Sequence, residues 1–455
     1  MSIYANRTLN LKKIRAIGFD MDYTIVRYHT HAFEKLTFRT VIDKLITLKK
    51  YPEGIRRLHF DLNMAIRGLV LDTSQGNILK IGSHGKVKQA FHGTRPLDFK
   101  TQQLYYRSLY VDLADTNFTC VDTAFAFSNV ILFMNLVDYR DAHPENMPSY
   151  KVIEEDIGEL VSLAHSDGSL KDCVKRDPLT YVVKDPDIVK ALECLKSDGK
   201  KLLLITNSDF DYTRFLMETT CDPFLKYHKS WYELFDITVT NAQKPRFFTD
   251  NLPFLSIDPA TGLMSNAKGP IEKGVYQGGN ARKLESDLHF SGEDFLYVGD
   301  HIFGDVLTLK KNLNWRTALV IEEIEAELEA LKKGRPLEDE ITTLMRDKIR
   351  LENEMDAIYL DVSKKDRSQR KEERSGLRDE LRQLDEKIAP LIVKNQSLYN
   401  PLWGEIMRAG QEESRLATQI EKYACIYLAR VSDFNAYSPK RYFRPFKRPL
   451  PHEHF

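Results

Sequence analysis

Two aspartates one residue apart, Asp20 and Asp22, end the apolar run in IRAIGFDMDYT (residues 14–24). Carboxylates that close suggest a nucleophile with its acid/base partner, or a metal site. Three other segments carry reactive or phosphate-binding groups. Thr206, Asn207 and Ser208 follow KKLLLI, Lys244 lies in NAQKPRFF, and Asp300 and Asp305 lie in FLYVGDHIFGD. Taken singly, each has an ordinary explanation: a helix N-cap, a polar turn, a surface Lys-Pro pair, two tight turns. All four in this order, each just after an apolar run, point to one shared site.

The elements that must position these groups are legible in outline. Residues 14–19 read as a buried parallel strand. Alternate strand residues share a face, so Asp20 and Asp22 can address one site from the strand's C-terminal end, where open α/β sheets place their ligands. Residues 31–50 carry a helical stripe through Phe33, Leu36, Val41, Leu45 and Leu48. From 56 to 93 the runs LHFDLN, RGLVLDT and ILKIGSHGKVKQAFHG predict β-hairpins. Helices are expected over 118–140 and 150–165. Further buried strands are expected at 200–208, 232–241, 295–300 and 316–321. This strand–helix alternation predicts a doubly wound parallel α/β sheet with a large α+β insertion after its first strand. Beyond about 325 the chain is charged and helical. Leu344, Leu351, Met355 and Ile358, then Leu377, Leu381, Leu384, Ile388 and Leu391, keep heptad-like spacing. That predicts a helical hairpin whose polar tip is DVSKKDRSQRKEERSG, then a basic, aromatic, Pro-rich tail packed on its own domain. The expected divisions are 1–50 and 176–325 for the core, 51–175 for the insertion and 326–455 for a helical C-terminal extension.

Bulk properties narrow the class. A chain of 455 residues with 42% hydrophobic and 29% charged residues is ordinary for a soluble protein of two or three domains. Lys+Arg and Asp+Glu balance at 66 each, which argues against nucleic acid or an acidic membrane as partner. No apolar stretch approaches the roughly 20 residues of a membrane span. MSIYANRTLNLKKIR lacks the apolar core of a signal peptide, and five scattered cysteines suit a reducing cytoplasm.

The order DxDxT, strand-end Ser/Thr, Lys, acidic GD…D resembles the haloacid dehalogenase superfamily. IGFDMDYTIVRY, ITNSDFDYT, KPRFF, YQGGN and YVGDHIFGD are similar, more narrowly, to the cytosolic purine (IMP/GMP-specific) 5′-nucleotidases. The resemblance implies a haloacid dehalogenase-like core, with the insertion as a cap for substrate recognition, and Mg²⁺ as cofactor. Asp20 would attack phosphorus and also bind the metal, and Asp22 would be general acid/base with its backbone carbonyl on the metal. Asp300 would be a metal ligand, and Asp305 would hold metal-bound water. Thr206 and Asn207 would donate to the phosphoryl oxygens beside Lys244, with Ser208 among the substrate-binding residues. In the cap, Phe125 would stack on the purine, and His165 and Lys171 would approach base and phosphate. Purine nucleoside monophosphates are the implied substrates, nucleosides are implied phosphate acceptors, and a homo-oligomer is expected. The chain departs from that family where Gly158 and Ser162 replace an Arg–Asp pair suited to a 6-oxopurine edge. Phe303 and Lys311 match part of the family's effector site, but Asp112 and Asp122 speak against activation by purine triphosphates. Phosphatases of sugar phosphates or pyrimidine nucleotides, and a non-catalytic scaffold, are the alternatives.

Overall fold

The computed structural model describes residues 2–112, 114–360, 367–448 and 450–453. It divides into two units, 1–322 with 406–455, and 323–405.

The first unit is built on a ten-stranded sheet. Across it the order is Ile3–Ala5, Ile426–Leu428, Arg316–Val320, Phe295–Gly299, Ala16–Phe19, Lys201–Ile205, Ile237–Thr240, Gly274–Gly278, Phe254–Ile257 and Met264–Asn266. Every pairing from Ile426–Leu428 to Gly274–Gly278 is parallel. The antiparallel strands lie at the two edges. From Ala16–Phe19 the chain moves outward through Lys201–Ile205, Ile237–Thr240 and Gly274–Gly278. It then crosses back to Phe295–Gly299 on the other side. Ala16–Phe19 is therefore the switch point of a doubly wound sheet, and a ligand belongs at its C-terminal end. These central strands are buried along their length, as expected when helices cover both faces. Phe295 stacks on Trp315 at 4.2 Å within the core on one face. A Cβ on Gly18 would meet the Tyr297 ring at 2.8 Å, so the glycine lets that ring lie across the central strand.

The expected cap region holds a five-stranded antiparallel sheet in the order Arg95–Pro96, Val87–His92, Asn77–Ile81, Val70–Asp72, Phe118–Cys120. The helices Phe127–Ala142 and Tyr150–Ser166 follow it. The helix Thr30–Lys49 packs against both, so its neighbours include the insertion from which a boundary at residue 50 would separate it. LHFDLN forms no strand; Leu62–Met64 is a single tight turn of helix capped by Asp61.

Two expectations for the core differ. The run 232–241 is not one strand. Trp231–Leu234 makes a helical turn whose first N–H donates to Asp222 Oδ1 at 2.7 Å, and only Ile237–Thr240 joins the sheet. The segment 406–455 is not part of a helical extension. Ile426–Leu428 inserts between Ile3–Ala5 and Arg316–Val320, and Tyr442–Phe443 pairs with Leu9–Asn10. The basic tail does pack on its own domain: Arg448 pairs with Glu421 at 2.6 Å and Glu413 at 3.3 Å. A short apolar run, CIYL, supplies the inserted strand, and its charged surroundings hide it from periodicity arguments.

The second unit consists chiefly of the helices Ile324–Leu360 and Arg367–Gln396. Lys348 pairs with Asp385 at 2.6 Å, and Asn395 donates to Glu338 at 2.8 Å, so the helices run antiparallel. Leu351 and Ile388 are the buried members of the heptad stripe. Residues 361–366, within the expected polar tip, lie outside the described residues. Among the described residues no helix is long and apolar enough to cross a membrane.

Removing 406–455 should expose both Ile3–Ala5 and Arg316–Val320 along a broken sheet edge. The truncated chain is expected to lose its cooperative thermal transition in calorimetry. If 406–455 were a dispensable extension, the transition would survive.

Candidate active site

The Asp20 N–H donates to Val298 O at 2.9 Å, so strand pairing continues up to the residue that carries the first carboxylate. Asp20 Oδ1 accepts from Met21 N–H at 2.7 Å, and Oδ2 pairs with Lys244 Nζ at 2.7 Å. The same ammonium pairs with Asp305 at 2.9 Å and touches the Tyr297 hydroxyl at 3.1 Å. Tyr297 OH in turn donates to Ile205 O at 3.1 Å. Lys244 thus arrives from one strand end and joins acids from two others. Burial works against its charge, but Asp20 and Asp305 outweigh that and raise its pKa well above the ordinary value, so it stays protonated.

Oxygens of Asp20, Asp300 and Asp305 all lie within 4.8 Å of one another. Burial pushes the Asp20 pKa well up; Lys244 opposes this, and the neighbouring Asp305 and Asp300 add to it. Burial likewise raises Asp300. Three hard-oxygen groups in a buried cluster, with like charges crowding each other, are the donor set that a small divalent cation takes. The Asp22 side chain stands outside this cluster. Its Oδ1 accepts from Tyr28 OH at 2.6 Å and its Oδ2 from Ser208 Oγ at 2.8 Å. Burial raises its pKa, and those two hydrogen bonds pull back. The loop after Phe295–Gly299 is equally constrained: Asp305 Oδ2 accepts from His301 N–H at 3.2 Å. A Cβ on Gly299 would lie 2.4 Å from that same oxygen.

The insertion reaches Asp300 through Thr123 and Arg67. Thr123 Oγ donates to Asp300 Oδ2 at 2.7 Å and accepts from Phe125 N–H at 3.4 Å. Arg67, buried three residues before the strand Val70–Asp72, donates to Asp300 O at 2.6 Å. Phe125 meets Tyr23 edge-on at 4.5 Å and His165 at 5.5 Å. Acids, lysine, Phe125 and His165 line a single cavity of about 700 Å³.

A model of the 5′ nucleotidase family matches residues 3–455. The chain belongs to the 5′ nucleotidase family. That makes it a phosphoric monoester hydrolase. It is 27% identical to the 5′-nucleotidase domain-containing protein 2 of Homo sapiens, over 99% of this chain and 85% of that protein. Identity to the Rattus norvegicus protein of the same description is also 27%, over 99% and 80%. A 5′-nucleotidase domain-containing protein of Dictyostelium discoideum is 25% identical over 99% and 74%.

Within this 5′-nucleotidase-family site, the residues expected to act in catalysis, metal binding or substrate binding all line this cavity: Asp20, Asp22, Phe125, His165, Lys171, Thr206, Asn207, Ser208, Lys244, Asp300 and Asp305. Three of them already have partners within the protein. Ser208 spends its hydroxyl on Asp22. Asn207 uses both side-chain ends on the Lys244 backbone, accepting from its N–H at 2.6 Å and donating to its carbonyl at 3.1 Å. Asn207 therefore holds the lysine loop in place. Lys171 is ion-paired with Asp209 and lies over the Tyr212 ring, so its charge is already partnered. Thr206 is fully buried, its oxygen accepting from Ser208 N–H at 3.0 Å. Ser162 lines the cavity, and a Cβ at Gly158 would meet open space. Sequence reading missed Tyr28, Thr123, Arg67 and Tyr297. Only Tyr28 carried a local signal, being a polar-tipped aromatic six residues after Asp22.

Gly299→Ala should displace Asp305 and lower kcat by at least about 10-fold, on the scale of other losses of electrostatic positioning. Unchanged turnover in steady-state assays would show that Asp305 tolerates the shift.

His165 offers a second check. Burial pushes its pKa down to about 4, with Lys171 adding to the effect. The unfolded chain takes up that proton near pH 6.5. Between the two values the unfolded state binds more protons, so stability falls as pH drops from about 6.5 to about 4. His165→Gln should remove on the order of 1–3 kcal/mol of that pH-dependent loss in denaturant titrations.

Proposed function

We propose that the protein is a Mg²⁺-dependent 5′-nucleotidase that hydrolyses purine nucleoside 5′-monophosphates, IMP and GMP foremost, to nucleoside and phosphate. The observation that carries this reading is the cluster of Asp20, Asp300, Asp305 and Lys244 opening into the cavity that Phe125 and His165 also line. Free cysteines at all five positions support a cytoplasmic location.

The donor set fits the metal. Asp20, Asp300 and the backbone carbonyl of Asp22 would hold Mg²⁺, with Asp305 reaching it through water. Bound there, the ion would neutralise phosphoryl charge that otherwise repels an anionic nucleophile. The rest falls to this chain's own groups. Lys244 holds Asp20 in place and meets the phosphoryl oxygens. Asp20 attacks phosphorus as the bond to the nucleoside O5′ breaks, and Asp22 gives its proton to that oxygen. Water then attacks the aspartyl-phosphate, Asp22 takes the proton, and the bond from phosphorus to Asp20 breaks. A nucleoside hydroxyl in place of water makes the same protein a phosphotransferase. Phe125 supplies an aromatic face for the base. His165, held neutral by burial, offers the base both a donor and an acceptor. Ser162 puts a small neutral hydroxyl where the resembled family has an acid, which loosens discrimination among 6-oxopurines.

Asp20→Asn should abolish the acid-stable, hydroxylamine-labile phosphoenzyme and turnover. Chelation should stop the wild type, with Mg²⁺ restoring it. Ribose 5-phosphate cleaved as efficiently as IMP would defeat the nucleotide reading and favour a general sugar phosphatase.

A further inference from the structure

Tyr28 is buried six residues beyond Asp22, in the short strand Arg27–Tyr28 that pairs with Val182–Val183. Its ring packs with Phe33 at 4.8 Å and Tyr23 at 5.1 Å, and it lines the cavity. A phenol has one proton, and this one lies in the 2.6 Å hydrogen bond to Asp22 Oδ1. While Asp22 is ionised, the 3.4 Å contact between the Tyr28 and Tyr212 oxygens, in which either could donate, is left with Tyr212 as donor. Tyr212 is itself fixed. Its backbone N–H donates to the helix-capping Asp209 at 2.9 Å, and Lys171 sits over its ring. The direction of the chain is set: Tyr212 to Tyr28 to Asp22 Oδ1.

The other oxygen of Asp22 has a different kind of partner. Ser208 Oγ donates to Oδ2 at 2.8 Å, but a serine hydroxyl rotates and also accepts. Oδ1 is thus held as an acceptor at the end of a chain of two hydroxyls, while Oδ2 meets a single hydroxyl that can turn from donor to acceptor when Oδ2 takes a proton.

We propose that Tyr28 is a positioning residue for Asp22, fixing Oδ1 so that Oδ2 is the oxygen that carries the proton between the two half-reactions. This rests on the reading of Asp22 as general acid/base. In the hydrolytic half-reaction, water attacks phosphorus, its proton passes to Oδ2, and the bond to Asp20 breaks. In the next cycle that proton leaves Oδ2 for the nucleoside O5′ as its bond to phosphorus breaks. Without the Tyr28 hydroxyl, the carboxyl is free to turn and the proton can sit on the wrong oxygen.

The test is Tyr28→Phe, which keeps the ring and removes the donor. kcat/KM reports the phosphorylation step, so two leaving groups are compared, the nucleoside of IMP and the p-nitrophenolate of p-nitrophenyl phosphate. An alkoxide needs the acid's proton and a nitrophenolate does not. The variant should lose about 10-fold or more on IMP and less than about 3-fold on p-nitrophenyl phosphate, within the range of general acid catalysis. KM for IMP should stay within about 2-fold, since the ring that lines the cavity is retained. Tyr212→Phe, one bond further out, should show the same contrast at smaller size. Equal losses on both substrates, or none, overturn the proposal. Asp22→Asn is the control that separates two failures. If it shows the leaving-group contrast and Tyr28→Phe does not, Tyr28 alone has been misread. If Asp22→Asn shows no contrast, the acid role of Asp22 falls, and this proposal with it.

Discussion

Lys244 stands between Asp20 and Asp305, and burying the three together is the constraint on which the rest of the site depends. A buried carboxylate without a partner costs several kcal/mol, and two side by side cost more. One ammonium shared between them makes the arrangement affordable, and it still leaves the cluster, with Asp300 added, short of positive charge. The fold is organised to keep that lysine where it is. Asn207 clamps its backbone from both ends, Tyr297 meets its ammonium, and Gly18 yields space for the tyrosine ring. Residues from four strand ends are thereby tied into one object, so few of them can move alone.

Division of labour between the two close aspartates follows from their neighbours. Asp20 faces a cation and two acids; Asp22 faces two hydroxyls. Lys244 works against the burial and the neighbouring acids that push the Asp20 pKa up, whereas Tyr28 and Ser208 oppose burial at Asp22 through hydrogen bonds alone, which suits the separate roles proposed for them.

The insertion is joined to this centre by direct hydrogen bonds to Asp300. The Thr123 hydroxyl holds Asp300 and sets the turn that presents Phe125. Arg67 reaches the Asp300 carbonyl from the same inserted region. The inserted segment that carries Phe125 therefore also braces a proposed metal ligand.

Much of the site was legible in the linear chain, for a physical reason. A parallel strand buried on both faces is a dense apolar run, and its C-terminal end is where polar chemistry resumes. Asp20, Thr206 and Asp300 each mark such a boundary. Segments whose burial comes from neighbours rather than from their own pattern were hidden. Met264–Asn266 is exposed throughout, Gly274–Gly278 is rich in glycine, and Ile426–Leu428 is three residues long. Roles were hidden in the same way. That Ser208 serves Asp22, that Asn207 serves Lys244, that Lys171 is already paired, and that Tyr28 and Thr123 belong to the site are facts of proximity between residues far apart in sequence. The sequence by itself determined which chemical groups stand at the strand ends, and hence the class of reaction. The tertiary structure alone decided which of them face each other, because hydrogen bonds and ion pairs act over a few ångströms of space and are blind to distance along the chain.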